Sequence, residues 1–302
     1  MLDVKLTTFL KVTETKNFTR AAEALALTQP AVSQHIKQLE SELGVKLFIR
    51  AENGLKLSRD GEIVYKYAQR LHSVYQNMLQ ALVDERTNTT HLTIGITHTA
   101  ESNAIAEVLA KFSAAHDGMR ITMVTDTINN LYSKLKTYEL DLAIAEGTVP
   151  ASGFNSLLLD TDCLVLAVAN NHPLAKKSMV TINELKHEKM IIRLPDSGTR
   201  SLFVSHLESN NMSINDFNVV LEVDNVATIK ELIRHGFGVS ILAKSVCLNE
   251  IRKGKLTALP VENLSMMRQI NLIYHKSFEN VALLRDLVKT YNDTMQVYNS
   301  AT

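Results

Sequence analysis

The 302 residues exceed one ordinary core, and a hydrophobic content of 45% is ample for two or three packed domains. Thirty-two Lys and Arg balance thirty-two Asp and Glu, and residues 1–87 hold twelve of the former against ten of the latter. Bulk charge therefore gives no sign of nucleic acid, and any DNA footprint has to come from where particular side chains sit. The opening MLDVKLTTFLKVTETKNF is interrupted by charge at every apolar run, which argues against a secretory leader or a membrane span and for a cytoplasmic protein. Cys163 and Cys247 lie 84 positions apart, too isolated for a disulfide framework, a zinc ribbon or a close redox pair, and read as small buried hydrophobes.

Leu6, Phe9, Leu10 and Thr13 repeat with helical spacing and predict a first helix over about 4–15. Asn17 or Thr19 caps a short second helix, FTRAAEALA, and Leu27-Thr28 turns the chain. Thr28 caps a third helix, with Pro30 in its first turn and Gly44 as its stop. Val32, Ile36, Leu39 and Leu43 form its expected buried stripe, while Gln29, Pro30, Ser33, Gln34 and Lys37 share the other side. Amide side chains pair with adenine edges and an exposed helix N-terminus attracts phosphate, so this face suits a major groove. The spacing alone fits a small helical bundle with a solvated face equally well. KLFIR and LKLS then alternate around Ala-Glu-Asn-Gly, a hairpin signal that adds a wing flanked by Arg50, Lys56 and Arg59.

The run FTRAAEALALTQPAVSQHIKQLESELGVKLFIR resembles the DNA-binding signature of LysR-type transcriptional regulators, over about the first 65 positions and without a gap. The resemblance implies a winged helix-turn-helix whose contacts to promoter DNA fall on Thr28, Gln29, Pro30, Ser33, Gln34, Lys37 and Arg50. The family commonly carries a basic residue at the wing tip where this chain has Asn53, which shifts weight to Lys56 and Arg59.

Ser58 or Asp60 caps a segment from Gly61 to Arg86 with no internal Gly or Pro, about 39 Å long as a helix. Val64, Tyr67, Leu71, Val74, Met78 and Ala81 are spaced 3, 4, 3, 4 and 3, the pattern of a coiled-coil seam. Ile63, Tyr75 and Leu82 widen the stripe enough for packing within one chain instead. LysR-type regulators dimerise through a linker helix at this position, so the resemblance implies a homodimer, and commonly a homotetramer.

After Thr87-Asn88-Thr89-Thr90 the periodicity changes. HLTIGI, MRITMV and LDLAIA read as strands around two helices, then CLVLAVA, EKMIIRL, FNVVLEV, FGVSILA and QINLIYH as further strands with helices between and after them. The order predicts two α/β lobes with parallel sheets and a cleft at the carboxyl ends of the strands. Those ends hold Thr97, His98 and Thr99, then Thr125, Asp126 and Thr127, then Glu146 and Gly147, and in the second lobe Ser197, Gly198, Thr199 and Arg200. In the Ser-Gly-Thr turn, amides, two hydroxyls and Arg200 are placed to converge on an anion. Glu146 disfavours an anion unless a cation offsets it, and is suited to receive an amine.

This region resembles the effector domain of LysR-type regulators, similar in fold to type 2 periplasmic solute-binding proteins. LDLAIAEG and RLPDSGTR resemble a subgroup linked to carbon fixation and sulfur or nitrogen assimilation, with effectors that are often small anions, although that subgroup usually has Glu where this chain has Leu194. The expected organisation is a DNA-binding domain over 1–58, a linker helix over 59–87 and an effector domain over 88–302. Lobe I then takes about 88–161 and 269–302, and lobe II about 162–268. No nucleophile elbow, phosphate loop or metal-spaced His or Cys cluster is present, so neither an enzyme nor a cofactor is expected. A plain solute-binding protein is the rival reading.

Overall fold

The computed structural model describes residues 3–51, 54–101, 104–150 and 153–300. The chain divides into two compact units, Met1–His91 with Lys136–Glu139, and Leu92–Leu135 with Leu140–Thr302. In the first, helices α1 (Val4–Thr15), α2 (Phe18–Ala24) and α3 (Gln29–Leu43) precede strands β1 (Phe48–Ala51) and β2 (Gly54–Leu57) and the long helix α4 (Arg59–Thr87). Asn17 caps α2 through Thr19 and Arg20, Thr28 caps α3 through the Ala31 amide, and Gly44 ends α3 at φ +67°, a conformation that costs only glycine little. Phe9, Val12, Val32, Ile36, Leu39 and Leu47 are buried, and Phe48 packs its ring on Phe9 and Phe18 at centroid distances of 5.5 and 5.9 Å. Leu43, expected inside, is 46% exposed, at the last position of α3 before Gly44. Glu40 ties the turn after α3 to the wing, accepting from the Leu47 amide at 2.9 Å and pairing with Lys46 at 2.6 Å.

The wing is an antiparallel ladder from Phe48↔Leu57 to Ala51↔Gly54. Gly54 is therefore a strand residue rather than part of a turn. The wing-tip position Asn53 lies outside the described residues. Ser58, rather than Asp60, caps α4 by accepting from the Gly61 amide at 2.9 Å, and its own hydroxyl donates to the Lys46 carbonyl.

The second unit begins with β3 (Thr90–Thr97), α5 (His98–Glu101), α6 (Ile105–Ala114), β4 (Met119–Asp126), α7 (Ile128–Lys136), β5 (Leu142–Glu146) and β6 (Phe154–Ala169). It continues with α8 (Ile182–Lys186), β7 (Lys189–Ile192), α9 (Gly198–Ser209), β8 (Asn218–Glu222), α10 (Val226–Arg234) and β9 (Ser240–Ala243). The last elements are α11 (Lys244–Arg252), β10 (Leu256–Leu259), β11 (Met267–His275) and α12 (Val281–Ser300). The strand order β6-β11-β5-β3-β4 forms the first lobe's sheet, over a core that includes Ile94, Ile96, Phe112, Ile144, Leu272 and Leu284. In the second lobe β6 pairs with β9 and β10, and β7 runs parallel to β8, around a core that includes Leu166, Ile191, Phe203, Ile229 and Leu242.

The sheets are mixed rather than all parallel. β3 and β5 run parallel, but β11 is antiparallel to both β5 and β6. The sixteen-residue β6 gives its first half to one lobe, where Phe154 pairs with His275, and its second half to the other, where Leu166 pairs with Ile241 and Leu259. β6 is antiparallel to each strand paired with it, β9, β10 and β11. The first half of β6, along with α8, α11 and β10, carries too weak a periodicity to be read from sequence.

Candidate functional site

Thr28, Gln29, Pro30, Gln34 and Lys37 are exposed on one side of α3, with Ser33 half-buried and held by Gln29 Nε2 at 2.9 Å from its hydroxyl. Val32, Ile36 and Leu39 on the opposite side are at most 4% exposed, and this anchoring fixes which residues face solvent. Arg50 on β1, Lys56 on β2 and Arg59 at the start of α4 are exposed as well. The N-terminal turn of α3 thus presents neutral hydrogen-bonding side chains, with the Ala31 amide already capped by Thr28, and the cations stand outside it.

On α4, Tyr67, Leu71, Val74 and Met78 are about half exposed, at 57%, 53%, 51% and 48%. Val64 differs from the rest of the expected seam: it packs with Tyr65 and Ala68 against the winged-helix core. Ile63, Leu79, Leu82 and Val83 are exposed too, so the apolar surface is wider than a strict seam.

In the second unit the ends of β3, β4 and β5 and the start of α9 surround a cavity of about 110 Å³. The first lobe contributes Thr97, His98, Thr99, Asp126, Thr127 and Glu146. The second contributes Ser197 and Gly198 from the α9 turn, with Arg193, Asp196 and Asp224. Thr97 donates to Glu146 Oε2 at 2.7 Å and accepts from the Ala100 amide at 3.1 Å. Ser197 takes the cap position of α9 without making a side-chain cap bond.

Four expected residues are elsewhere: Thr125 and Gly147 of the first lobe, and Thr199 and Arg200 of the second. Arg200 is drawn to Glu222 on β8 at 2.8 Å and to the Arg193 carbonyl at 3.0 Å, and Thr199 is buried beneath Arg268 Nη1 at 3.3 Å. Neither lines the cavity. The cation that does is Arg193, one residue beyond β7 and 3% exposed. Its Nη2 reaches Asp224 at 3.3 Å, while Nε and Nη1 have no hydrogen-bond partner. Burial pulls the Arg193 pKa below its usual value and Asp224 opposes the shift. Asp126 is also partly buried, which raises a carboxyl pKa, but bonds from Lys134, Asn130 and the Thr127 amide outweigh this and hold it below the usual range.

Across the Glu146 side chain, Arg268 on β11 stands 3.3 Å from Asp162 and 3.9 Å from Glu146 Oε1, and lines a neighbouring cavity of about 420 Å³. Sequence reasoning missed Arg193, Asp224 and Arg268. Arg193 had a signal available, since it follows an apolar strand run directly, where a charge is expected only at a strand end.

Residues 4–62 match the family described as "Bacterial regulatory helix-turn-helix protein, lysR family", and residues 85–296 match the "LysR substrate binding domain". The chain belongs to the LysR family of transcriptional regulators. This LysR-type regulator is 30% identical over 95% of its length to CfxR of Cupriavidus necator, covering 89% of that protein, and 26% identical to CysL of Bacillus subtilis over 91% of each chain. Among solved structures, full-length CbnR complexed with its target DNA superposes with a TM-score of 0.68 at 17% identity, covering 96% of this chain and 98% of that one, a likeness of fold. The regulator is a DNA-binding protein with an effector-binding domain of the two-lobed periplasmic-binding-protein type, in a family of regulators and not of enzymes. Among the described residues no helix is long and apolar enough to cross a membrane.

Proposed function

We propose that the regulator reads promoter DNA with the solvent face of α3, that two copies pair through α4, and that a small anionic effector between the lobes controls the response. The domains then divide at about 58 and 87, with lobe II spanning about 162–268. The observation that carries the DNA reading is the exposure of Gln29, Gln34 and Lys37 on the side of α3 opposite its buried stripe. Gln29, Ser33 and Gln34 read base edges, Thr28 and Pro30 seat the helix N-terminus against the backbone, and Lys37, Arg50, Lys56 and Arg59 contact phosphate.

Pairing through Tyr67, Leu71, Val74 and Met78 is supported by the apolar side chains that α4 leaves exposed, while Val64 serves the winged-helix core. It places two recognition helices on half-sites related by the dimer axis, and two dimers joining give the tetramer common in the family. An anionic effector is supported by the open cap of α9 and by the unpartnered N–H groups of Arg193, with Thr97, His98, Thr99, Thr127, Ser197 and Gly198 supplying orientation. Thr199 and Arg200 act from behind the cavity by holding the α9 turn. Effector binding shifts the regulator between two states only in so far as it favours one lobe orientation over the other. Fluorescence anisotropy with DNA from upstream of the regulator's own coding sequence tests the first claim: specific binding should weaken as salt rises, and a protein that ignores this DNA at low salt is not reading it.

A further inference from the structure

The lining of the cavity between the lobes is acidic. Among its described residues Asp126, Glu146, Asp196 and Asp224 face a single guanidinium, that of Arg193. Asp126 is neutralised by Lys134 at 2.7 Å and Asp224 lies 3.3 Å from Arg193. Glu146 is different: it is 8% exposed, its Oε2 is occupied by Thr97, and its Oε1 has no hydrogen-bond partner, with Arg268 no nearer than 3.9 Å. Two residues that line the cavity therefore carry buried polar atoms of opposite sign without a hydrogen-bond partner, the Nε and Nη1 of Arg193 and the Oε1 of Glu146. A buried polar group left unpaired is costly, so the ligand that best completes the site supplies both partners. A simple anion satisfies Arg193 and adds repulsion at Glu146; a simple cation does the reverse.

Resting on the reading above that an effector binds between the lobes, and confining its negative charge to one end, we propose that the effector is a small amino acid-like zwitterion, its carboxylate on Arg193 and the α9 N-terminus and its ammonium on Glu146. The cavity of about 110 Å³ is well below the ~300–1,000 Å³ typical of drug-sized ligands, which restricts the side chain to a few atoms.

The test is a thermal-shift and calorimetric titration of the full-length protein with small α-, β- and γ-amino acids, each beside its deaminated acid and its decarboxylated amine. At least one amino acid should raise the melting temperature saturably while both of its counterparts leave it unchanged. Glu146→Gln, which keeps the shape and the Thr97 contact, should weaken that amino acid by about tenfold or more with DNA binding intact. If Glu146→Gln does not fold, the comparison on the unaltered protein decides alone. Stabilisation by the deaminated acid as strong as by its parent overturns the zwitterion and leaves the anionic reading standing. Stabilisation by amines only, or by nothing in the set and by no inorganic anion, overturns both.

Discussion

Gly61 lies so close to Leu47 that a Cβ added to it would stand 2.1 Å from the Leu47 carbonyl oxygen. This contact, with Ser58 bridging to Lys46, brings the start of α4 against the chain that leads into the wing. Gly61→Ala forces backbone apart and is expected to cost about 1–3 kcal/mol of stability. Urea unfolding measures the loss, and an unchanged midpoint would show that the contact yields freely.

Gln34→Ala should lower specific DNA affinity by about 1–3 kcal/mol and leave effector binding alone, since Gln34 is solvent-facing and supports no packing. Lys37→Ala should act on all sequences alike and reduce the slope of log affinity against log salt by about 0.9. Anisotropy titrations at several salt concentrations separate the two; equal loss on specific and random DNA for Gln34→Ala would remove it from base reading.

Leu71→Asp places a charge in the middle of the exposed apolar surface of α4. Burying such a side chain against a partner contributes about 1.5–3 kcal/mol, so dimer dissociation should strengthen by tenfold or more for each protomer. Analytical ultracentrifugation reads the result, and an unaltered dimer would move the interface off this helix.

Ser197 holds a cap position without making a cap bond. Ser197→Ala should therefore cost less than the ~1 kcal/mol usual for losing an N-cap, while effector affinity falls. Melting temperature with and without effector distinguishes these, and a large loss in the ligand-free protein would make the residue structural.

Because the Asp126 carboxyl titrates below its usual range in the folded chain, it contributes stability above the unfolded-state pKa of about 4, and the contribution is lost as pH falls through the lower, folded value. Asp126→Asn should lower stability at neutral pH and flatten that acid limb, so that the two proteins converge in acid. Melting curves from neutral pH into the acid range record it; parallel curves for the two proteins would contradict the assignment.

Local patterns were enough to determine the ends and the exposed face of the helix α3. Thr28, Pro30 and Gly44 mark the ends of α3 by backbone chemistry that acts within four residues, and Val32, Ile36 and Leu39 fix its exposed face by helical period alone. The strand ends at Thr97, Asp126 and Glu146 were legible for the same reason, and they do meet at one cavity. Tertiary structure decided what depends on partners distant in sequence. β6 gains its strand character over 154–162 from pairing with β11 more than a hundred residues later, and Leu43 stays exposed although it continues the buried stripe of its helix. Arg200 and Arg193 differ in sequence by seven positions and in role by the carboxylates they meet, Glu222 for one and Asp224 beside the cavity for the other. Charge pairing across elements is a property of folded distance, which periodicity does not encode.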